Sequence, residues 1–269
     1  WPRPPVGPGA EKEAEEMAVV KVEKEIAGRV LSLETGRVAG QSHGAVWVQY
    51  GDTVVLATVL SAPPRQDLDY FPLFVDYREN QYAAGKVPGG FFKREGRPST
   101  KEICTMRMID RPIRPLFPED FLEEVQIQCL VLSSDNQNDP DMLAIIGASA
   151  ALSLSPTPFQ GPIGAARVGY VNGEYVVNPT HDQLDESQMD LLVCGPAEAT
   201  NMIECEAKQV SEELVAGGIE LAFQTYQQVI ALIRELVDKV GKPEARYEPK
   251  PLPEELKSRL AREYGERIR

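Results

Sequence analysis

The chain has 269 residues, of which 42% are hydrophobic, and it carries a formal net charge of −13. This length allows one large domain or two small ones, and the negative charge argues against bulk attraction to nucleic acid. The sequence contains no run of about 18 apolar residues, so no membrane span is predicted. The four cysteines lack metal-ligand or paired spacing, which indicates reduced thiols typical of cytosolic proteins.

The N-terminal part begins with a polar leader and continues as strands. Residues 1–20 are expected to be disordered, because the opening WPRPPVGPGAEKEAEE is rich in Pro, Gly and Glu. From Lys21 onward, β-branched residues occur in alternation or in runs in the segments RVLSLETGRVAG and AVWVQYGDTVVLATVLS. This pattern predicts strands, with a hairpin turn at Tyr50-Gly51-Asp52. DYFPLFVDYRE predicts a further strand.

Two helices are predicted in the middle of the chain, on either side of the strand EEVQIQCLVLSSD. Ser99 and Glu102 have the spacing of a capping box, so a helix is expected to begin there. Three prolines are expected to end this helix: Pro112, Pro115 and Pro118. NDPDMLAIIGASAALSLS predicts an apolar helix with Asp139 as its N-cap and Pro140 at its first position.

The remaining elements are a hairpin, two strands and a long helix. IGAARVGYVNGEYVVNP predicts a hairpin with Asn172-Gly173 at its tip, and MDLLVCGP and TNMIECEAKQ predict strands. Apolar residues recur every three or four positions over residues 211–240, which predicts one helix that Gly241 and Pro243 stop.

The domain plan follows from these elements. Residues 21–241 are expected to form one core, 242–253 a Pro-rich linker, and 254–269 a charged helix, which we expect to be the truncated start of a second, all-α domain. Many strands with unevenly interleaved helices predict an α+β fold and not a doubly wound sheet.

One basic segment interrupts the acidic chain. The segment from Lys86 to Arg114 contains eight basic and three acidic residues, so its local net charge is +5. Such a segment favours either a local anion site or a solvated, salt-bridged helix face.

Three segments resemble the first core of the polynucleotide phosphorylase family: AAGKVPGGFFKREGRPSTKEICTMRMIDRPIRPLFP, NDPDMLAIIGASAALSLS and GPIGAARVGYVNGEYVVNPT. The resemblance runs from about Val22 to the C-terminus. It implies an RNase PH-like core, with βαβ units similar to domain 2 of ribosomal protein S5, followed by the first helix of an all-α domain.

The resemblance also implies a larger protein. In this bacterial and organellar family, two RNase PH-like cores are joined by a helical domain and followed by KH and S1 domains, and three chains form a ring. The whole enzyme degrades single-stranded RNA from the 3′ end with inorganic phosphate and Mg²⁺, and releases nucleoside diphosphates. A bacterial cytoplasm or an organelle is the implied location, with no membrane partner.

The family's chemistry resides in the second core, where serines at a helix N-terminus bind phosphate. The corresponding helix here begins Asn138-Asp139-Pro140-Asp141. A helix N-terminus attracts anions through its free N–H groups and its dipole. Two carboxylates would repel phosphate, and proline lacks an N–H, so this core is expected to be non-catalytic.

The family's metal motif is also incomplete here. Asp190 matches one metal-binding aspartate, but Leu184 and Leu192 stand in the places of the second aspartate and of a lysine. Metal-assisted phosphoryl transfer needs anionic ligands and a cation near the scissile phosphate, so Asp190 is interpreted as a vestige in a core without a metal. A solvated turn is expected for three nearby acidic residues: Asp182, Asp185 and Glu186.

The resemblance gives the FFKR loop a role as a constriction around RNA in the central channel. Phe91 and Phe92 would stack on bases of any sequence, and Lys93 and Arg94 would follow the phosphates. The flanking Gly89-Gly90 favours this flexible loop over the alternative that the two phenylalanines are ordinary core residues. Lys93 replaces the first of the family's two arginines, which keeps the charge but loses bidentate geometry.

Further arginines are candidates for contacts with RNA or phosphate: Arg97, Arg107 and Arg111. Arg107 and Arg111 are four residues apart and share one helix face. The alternative is that arginines of this helix, including Arg114, pair with Asp110 or with interface carboxylates.

Three functions are compatible with these features. The first is a non-catalytic core that serves as ring scaffold and RNA gate within a phosphorolytic enzyme. The second is a self-sufficient RNase PH-like enzyme, which the Asp-Pro-Asp helix start and the two leucines disfavour. The third is an assembly domain without RNA contact, which a buried FFKR loop would support.

Overall fold

The computed structural model describes residues 18–63, 69–91, 96–243, 245, 247–249 and 253–268. Its larger sheet has six strands in the order β1-β2-β3-β4-β6-β5. Their bounds are Val20–Ile26, Arg29–Thr35, Gly44–Tyr50, Thr53–Ala62, Leu73–Glu79 for β5 and Glu124–Ser133 for β6. All neighbours are antiparallel except β5 and β6, which are parallel.

The smaller sheet has four antiparallel strands in the order β10-β9-β7-β8. Their bounds are Gly164–Val171 for β7, Glu174–Val177 for β8, Met189–Gly195 for β9 and Met202–Ala207 for β10. The hairpins predicted at residues 50–52 and 172–173 are present between β3 and β4 and between β7 and β8. The predicted mixed fold of strands and helices is confirmed.

Helix α1 spans Thr100–Ile113 and helix α2 spans Pro140–Leu154. Every residue of α2 is buried, because its sequence is apolar on all sides and it packs against β3, β4, β6 and β7. Asp139 caps α2 and Pro140 is its first residue, as predicted. The contact with β3 is so close that a Cβ on Gly44 would lie 2.1 Å from the Ala151 carbonyl oxygen.

Helix α1 has the predicted capping box, in which the Glu102 N–H donates to Ser99 Oγ and the Ser99 N–H donates to Glu102 Oε2. It ends within the segment of the three prolines, as predicted: the helix passes Pro112, ends at Ile113 and continues as a 3-10 turn at Arg114–Leu116. A proline in the last turn removes only one hydrogen bond, which the helix tolerates.

Helix α3 spans His181–Glu186, where a solvated turn was expected. Thr180 and Gln183 form a capping box that supplies hydrogen bonds to its first turn. The three acidic residues of this segment are exposed, but they lie on a short helix.

Helix α4 spans Glu212–Val240 and packs against β1, β7 and β9. It begins after the N-cap Ser211 and ends at Gly241, whose φ of 85° is accessible to glycine. Helix α5 spans Glu254–Ile268. Among the helices that the structure describes, none is both long and apolar enough to cross a membrane.

The segment between α4 and α5 contacts the core through Tyr247. Its hydroxyl donates to Asp120, and its ring meets Phe121 edge to face with a centroid distance of 5.7 Å. Residues 1–17 lie outside the described residues, so the disordered leader remains a prediction, although β1 already begins at Val20.

Candidate functional site

The N-terminus of α2 is occupied by its own carboxylates. The Asp141 N–H donates to Asp139 Oδ1 at 3.3 Å, and the Met142 N–H donates to Asp141 Oδ1 at 2.5 Å. Pro140 has no N–H to offer. These N–H groups, which could bind an anion at a helix start, are therefore engaged within the chain.

Arg167 on β7 brings three carboxylates together. Its Nη2 lies 2.5 Å from Asp141 Oδ2, and its Nη1 lies 3.3 Å from both Asp139 Oδ2 and Asp190 Oδ2. We call these four residues the Arg167 cluster. The guanidinium is buried, with its side chain 10% exposed. Sequence reasoning missed Arg167, although a lone charged residue within the apolar run GAARVGYV was a signal for a buried ion pair.

Burial and charge act against each other in the Arg167 cluster. Burial raises the pKa of Asp141 to about 6 in spite of Arg167, and burial also raises the pKa of Asp190. Burial opposes the charged form of Asp139 as well, but Arg167 and Lys101 together hold its pKa below the usual value. Burial would lower the pKa of Arg167, but the three carboxylates raise it, so the guanidinium stays charged.

Lys101 of α1 extends the cluster. Its Nζ lies 3.0 Å from Glu79 Oε1 and 3.6 Å from Asp139 Oδ1. The Tyr77 hydroxyl donates to the same Glu79 oxygen at 2.7 Å. Burial alone would lower the pKa of Lys101, but Asp139 and Glu79 raise it. Both cations of this region are therefore paired with carboxylates of the chain itself.

The residues around Asp190 do not suit Mg²⁺. Leu192 is buried, Leu184 lies on α3, and the Asp190 carboxylate is an ion-pair partner of Arg167. Within the part of the chain that the structure describes, no cluster of three or more His, Cys, Asp or Glu side chains could hold a metal ion.

The FFKR loop is described only at its first residue. Phe91 is 64% exposed, so it is not a core residue of this chain. Phe92, Lys93 and Arg94 lie outside the described residues. The role of these four residues in an RNA channel remains a prediction.

The arginines of α1 differ in their surroundings. Arg111 pairs with Glu204 of β10 at 2.5 Å, and both side chains are more than 40% exposed. Arg114 binds both carboxylate oxygens of Asp110 and also donates to the Phe71 carbonyl. For Arg114, the structure therefore supports the alternative that arginines of this helix pair with Asp110. The exposed Arg111 pair contributes little stability, so Arg111 remains a candidate for RNA contact, as does the exposed Arg107.

Two sequence models of one family match the chain. The model for domain 1 of the 3′ exoribonuclease family matches residues 27–158, and that for domain 2 matches residues 161–225. The chain belongs to the 3′ exoribonuclease (RNase PH) family. The Arg167 cluster joins the two domains of this RNase PH core, since Asp139 and Asp141 come from the first and Arg167 and Asp190 from the second.

Relatives within the RNase PH family confirm the resemblance to polynucleotide phosphorylase. The polyribonucleotide nucleotidyltransferase of Maricaulis maris is 54% identical over 226 residues, which cover 84% of this chain and 32% of the relative. The enzyme of the same name from Thermomicrobium roseum is 51% identical over 246 residues, covering 91% and 31%. The chain thus spans about a third of the length of the curated relatives that it matches.

A solved structure confirms the RNase PH-like fold. The crystal structure of rice (Oryza sativa) Rrp46 superposes with a TM-score of 0.61 at 14% sequence identity, covering 82% of this chain and 94% of Rrp46.

Proposed function

We propose that this chain is the first, non-catalytic core of a polyribonucleotide nucleotidyltransferase. The whole protein would be a 3′-to-5′ phosphorolytic exoribonuclease that degrades single-stranded RNA with inorganic phosphate and releases nucleoside diphosphates. The observation that carries the non-catalytic assignment is the Arg167 cluster, which places two carboxylates at the start of α2 and a third, from Asp190, on the same guanidinium.

Phosphorolysis requires inorganic phosphate to lie beside the 3′-terminal phosphodiester. A dianion needs free N–H donors and uncompensated cations. Here the Asp141 and Met142 N–H groups are bonded to carboxylates, and Arg167 and Lys101 are both paired. A phosphate would have to displace these partners inside a region of excess negative charge.

The role left for this core is structural support and RNA guidance. The relatives' greater length leaves room for a second RNase PH-like core, KH and S1 domains in the same protein. In this proposal Mg²⁺ binds in the second core, three chains form a homotrimeric ring in the bacterial cytoplasm, and the enzyme acts in mRNA degradation. The FFKR loop would line the channel, and Arg107 and Arg111 would lie near the RNA.

The 269-residue chain is expected to release no ADP from poly(A) in the presence of phosphate and Mg²⁺. A full-length bacterial polyribonucleotide nucleotidyltransferase serves as the positive control in the same coupled assay. The Asp190→Asn variant separates true activity from contamination. ADP release by the wild-type chain that Asp190→Asn abolishes would show a self-sufficient enzyme and overturn the assignment.

In the complete enzyme, Phe92→Ala is expected to weaken binding of long single-stranded RNA by about 1–3 kcal/mol per lost base contact. A dinucleotide should be much less affected, because the channel loop lies away from the chemistry. Arg94→Ala should also reduce the salt dependence of RNA binding, since each phosphate contact releases counterions. Fluorescence anisotropy at several salt concentrations measures both effects.

The exposed Tyr70 provides a matched control for this measurement, since Tyr70→Ala also removes an exposed aromatic ring. Its RNA affinity should equal that of the wild type. Wild-type affinity and salt dependence in both loop variants would rule out the channel role.

A further inference from the structure

A rigid turn presents Tyr82 to solvent just before the FFKR loop. The turn is a 3-10 helix at Gln81–Ala84, closed by hydrogen bonds from the Gly85 N–H to the Tyr82 carbonyl and from the Lys86 N–H to the Gln81 carbonyl. The Ser134 N–H donates to the Ala83 carbonyl at 2.9 Å, which fixes the turn to the end of β6. Tyr82 is nevertheless 56% exposed, so a large and partly exposed aromatic side chain stands on a backbone held by hydrogen bonds.

The Tyr82 ring borders a groove of about 920 Å³. Arg97 and Ser99, which lead into α1, line the same groove, and Gln128 of β6 contributes an exposed amide. The groove therefore combines an aromatic ring, a guanidinium and amide groups. Its volume lies within the range of small-molecule sites.

Three carboxylates also line the groove, but each is already bonded. Asp76 pairs with Arg78 at 3.0 Å, and Glu102 accepts hydrogen bonds from the Ser99 and Glu79 N–H groups. Glu79 itself accepts from the Tyr77 hydroxyl and pairs with Lys101. The ion pairs with Arg78 and Lys101 compensate two of these three negative charges, and the two N–H donors stabilise the carboxylate of Glu102.

Arg97 differs from the other cations around the groove. Arg78, which also lines the groove, is paired with Asp76, and the nearby Lys101 is paired with Glu79. Arg97, in contrast, is exposed and forms no ion pair with the residues that the structure describes. An exposed guanidinium and an exposed aromatic ring that line the same groove suit a ligand with one anionic group and one flat ring. A nucleotide of single-stranded RNA has this chemistry, because its base stacks on an aromatic face and its phosphate accepts from arginine.

We propose that this groove is a subsite for one nucleotide of single-stranded RNA, in which Tyr82 stacks on the base and Arg97 binds the adjacent phosphate. The proposal rests on the proposed function and adds a contact on a rigid turn to those expected from the FFKR loop. Amides such as those of Gln81 and Gln128 can bond to any base edge or to the ribose hydroxyl, so little sequence preference is expected.

The test measures binding of oligo(A) to the 269-residue chain by fluorescence anisotropy. Tyr82→Ala should raise the Kd about 5- to 150-fold, as expected for loss of one stacked base, whereas Tyr82→Phe should stay within about twofold of the wild type. Arg97→Ala should lower the slope of log K against log salt by about 0.7, the value for one phosphate contact on a single strand. Tyr70→Ala is the matched control and should bind as the wild type does.

Two negative results have different meanings. If Tyr82→Ala and Arg97→Ala bind RNA as the wild type does while Phe92→Ala binds more weakly, the groove is not a subsite but the RNA function stands. If the wild-type chain itself shows no RNA binding, both the subsite and the RNA-guiding role of this core are overturned. Thermal unfolding of each variant confirms that the exposed substitutions leave the fold intact.

Discussion

Replacing Arg167 with alanine is expected to destabilise the protein by about 3–5 kcal/mol at neutral pH, because it leaves carboxylates buried without their cation. Asp139 and Asp141 would then lie together at the start of α2, and among the described residues Lys101 would be the remaining ion-pair partner of Asp139. Since α2 is buried and packs against strands of both sheets, destabilising its first turn affects the whole core.

Urea unfolding measures this loss, and Arg111→Ala is the matched control. The Arg111–Glu204 pair is exposed, so its removal should cost no more than about 1 kcal/mol. The destabilisation by Arg167→Ala should shrink between pH 7 and pH 5, because protonation of Asp141 removes one of the uncompensated charges. A loss as small as that of Arg111→Ala, or one independent of pH, would contradict the assignment of a buried ion cluster.

The wild-type protein is expected to lose a contribution to its stability as the pH rises from about 4 to 6, through the titration of Asp141. Its folded-state pKa of about 6 exceeds the usual 3.8, so in this window the folded chain holds a proton that the unfolded chain has released. A folded state that binds more protons loses stability with rising pH, here by up to about 3 kcal/mol. The raised pKa of Asp190 acts in the same direction, whereas the lowered pKa of Asp139 acts below this window.

The Asp141→Asn variant tests this contribution, since an asparagine does not titrate. The difference in unfolding free energy between the variant and the wild type should change between pH 4 and pH 6 in favour of the variant. Asp185→Asn on the exposed face of α3 is the control and should show no such change. Parallel pH profiles for wild type and Asp141→Asn would show that Asp141 does not titrate in this window.

Local sequence signals predicted most of the elements but not their arrangement. The Ser99 and Glu102 capping box and the Asp139 cap are read directly from neighbouring residues, and both are present. The short helix α3 was missed although Thr180 and Gln183 have capping-box spacing, because its acidic composition favoured a turn. The parallel pairing of β5 with β6 depends on long-range packing, and no local sequence pattern predicts it.

In the candidate site, too, local sequence patterns predicted neighbouring residues but not contacts between distant ones. The carboxylates at the start of α2 were found because they are adjacent in sequence, and the expectation that they disfavour phosphate rests on local chemistry. Arg167 lies 26 residues from Asp141 and was missed, since pairing across such a distance depends on how β7 meets α2. Tyr82 was missed for another reason, because a single tyrosine in a loop carries no signal until its exposure is known.

The Arg167 cluster also bears on how this core can evolve. The two family models match separate parts of the chain, residues 27–158 and 161–225. Here the anionic partners are encoded in one part and the cation in the other. A hybrid gene that combined the first part of this chain with the second part of a relative lacking Arg167 would inherit two buried aspartates without their counter-ion. The two parts are therefore constrained to be inherited together.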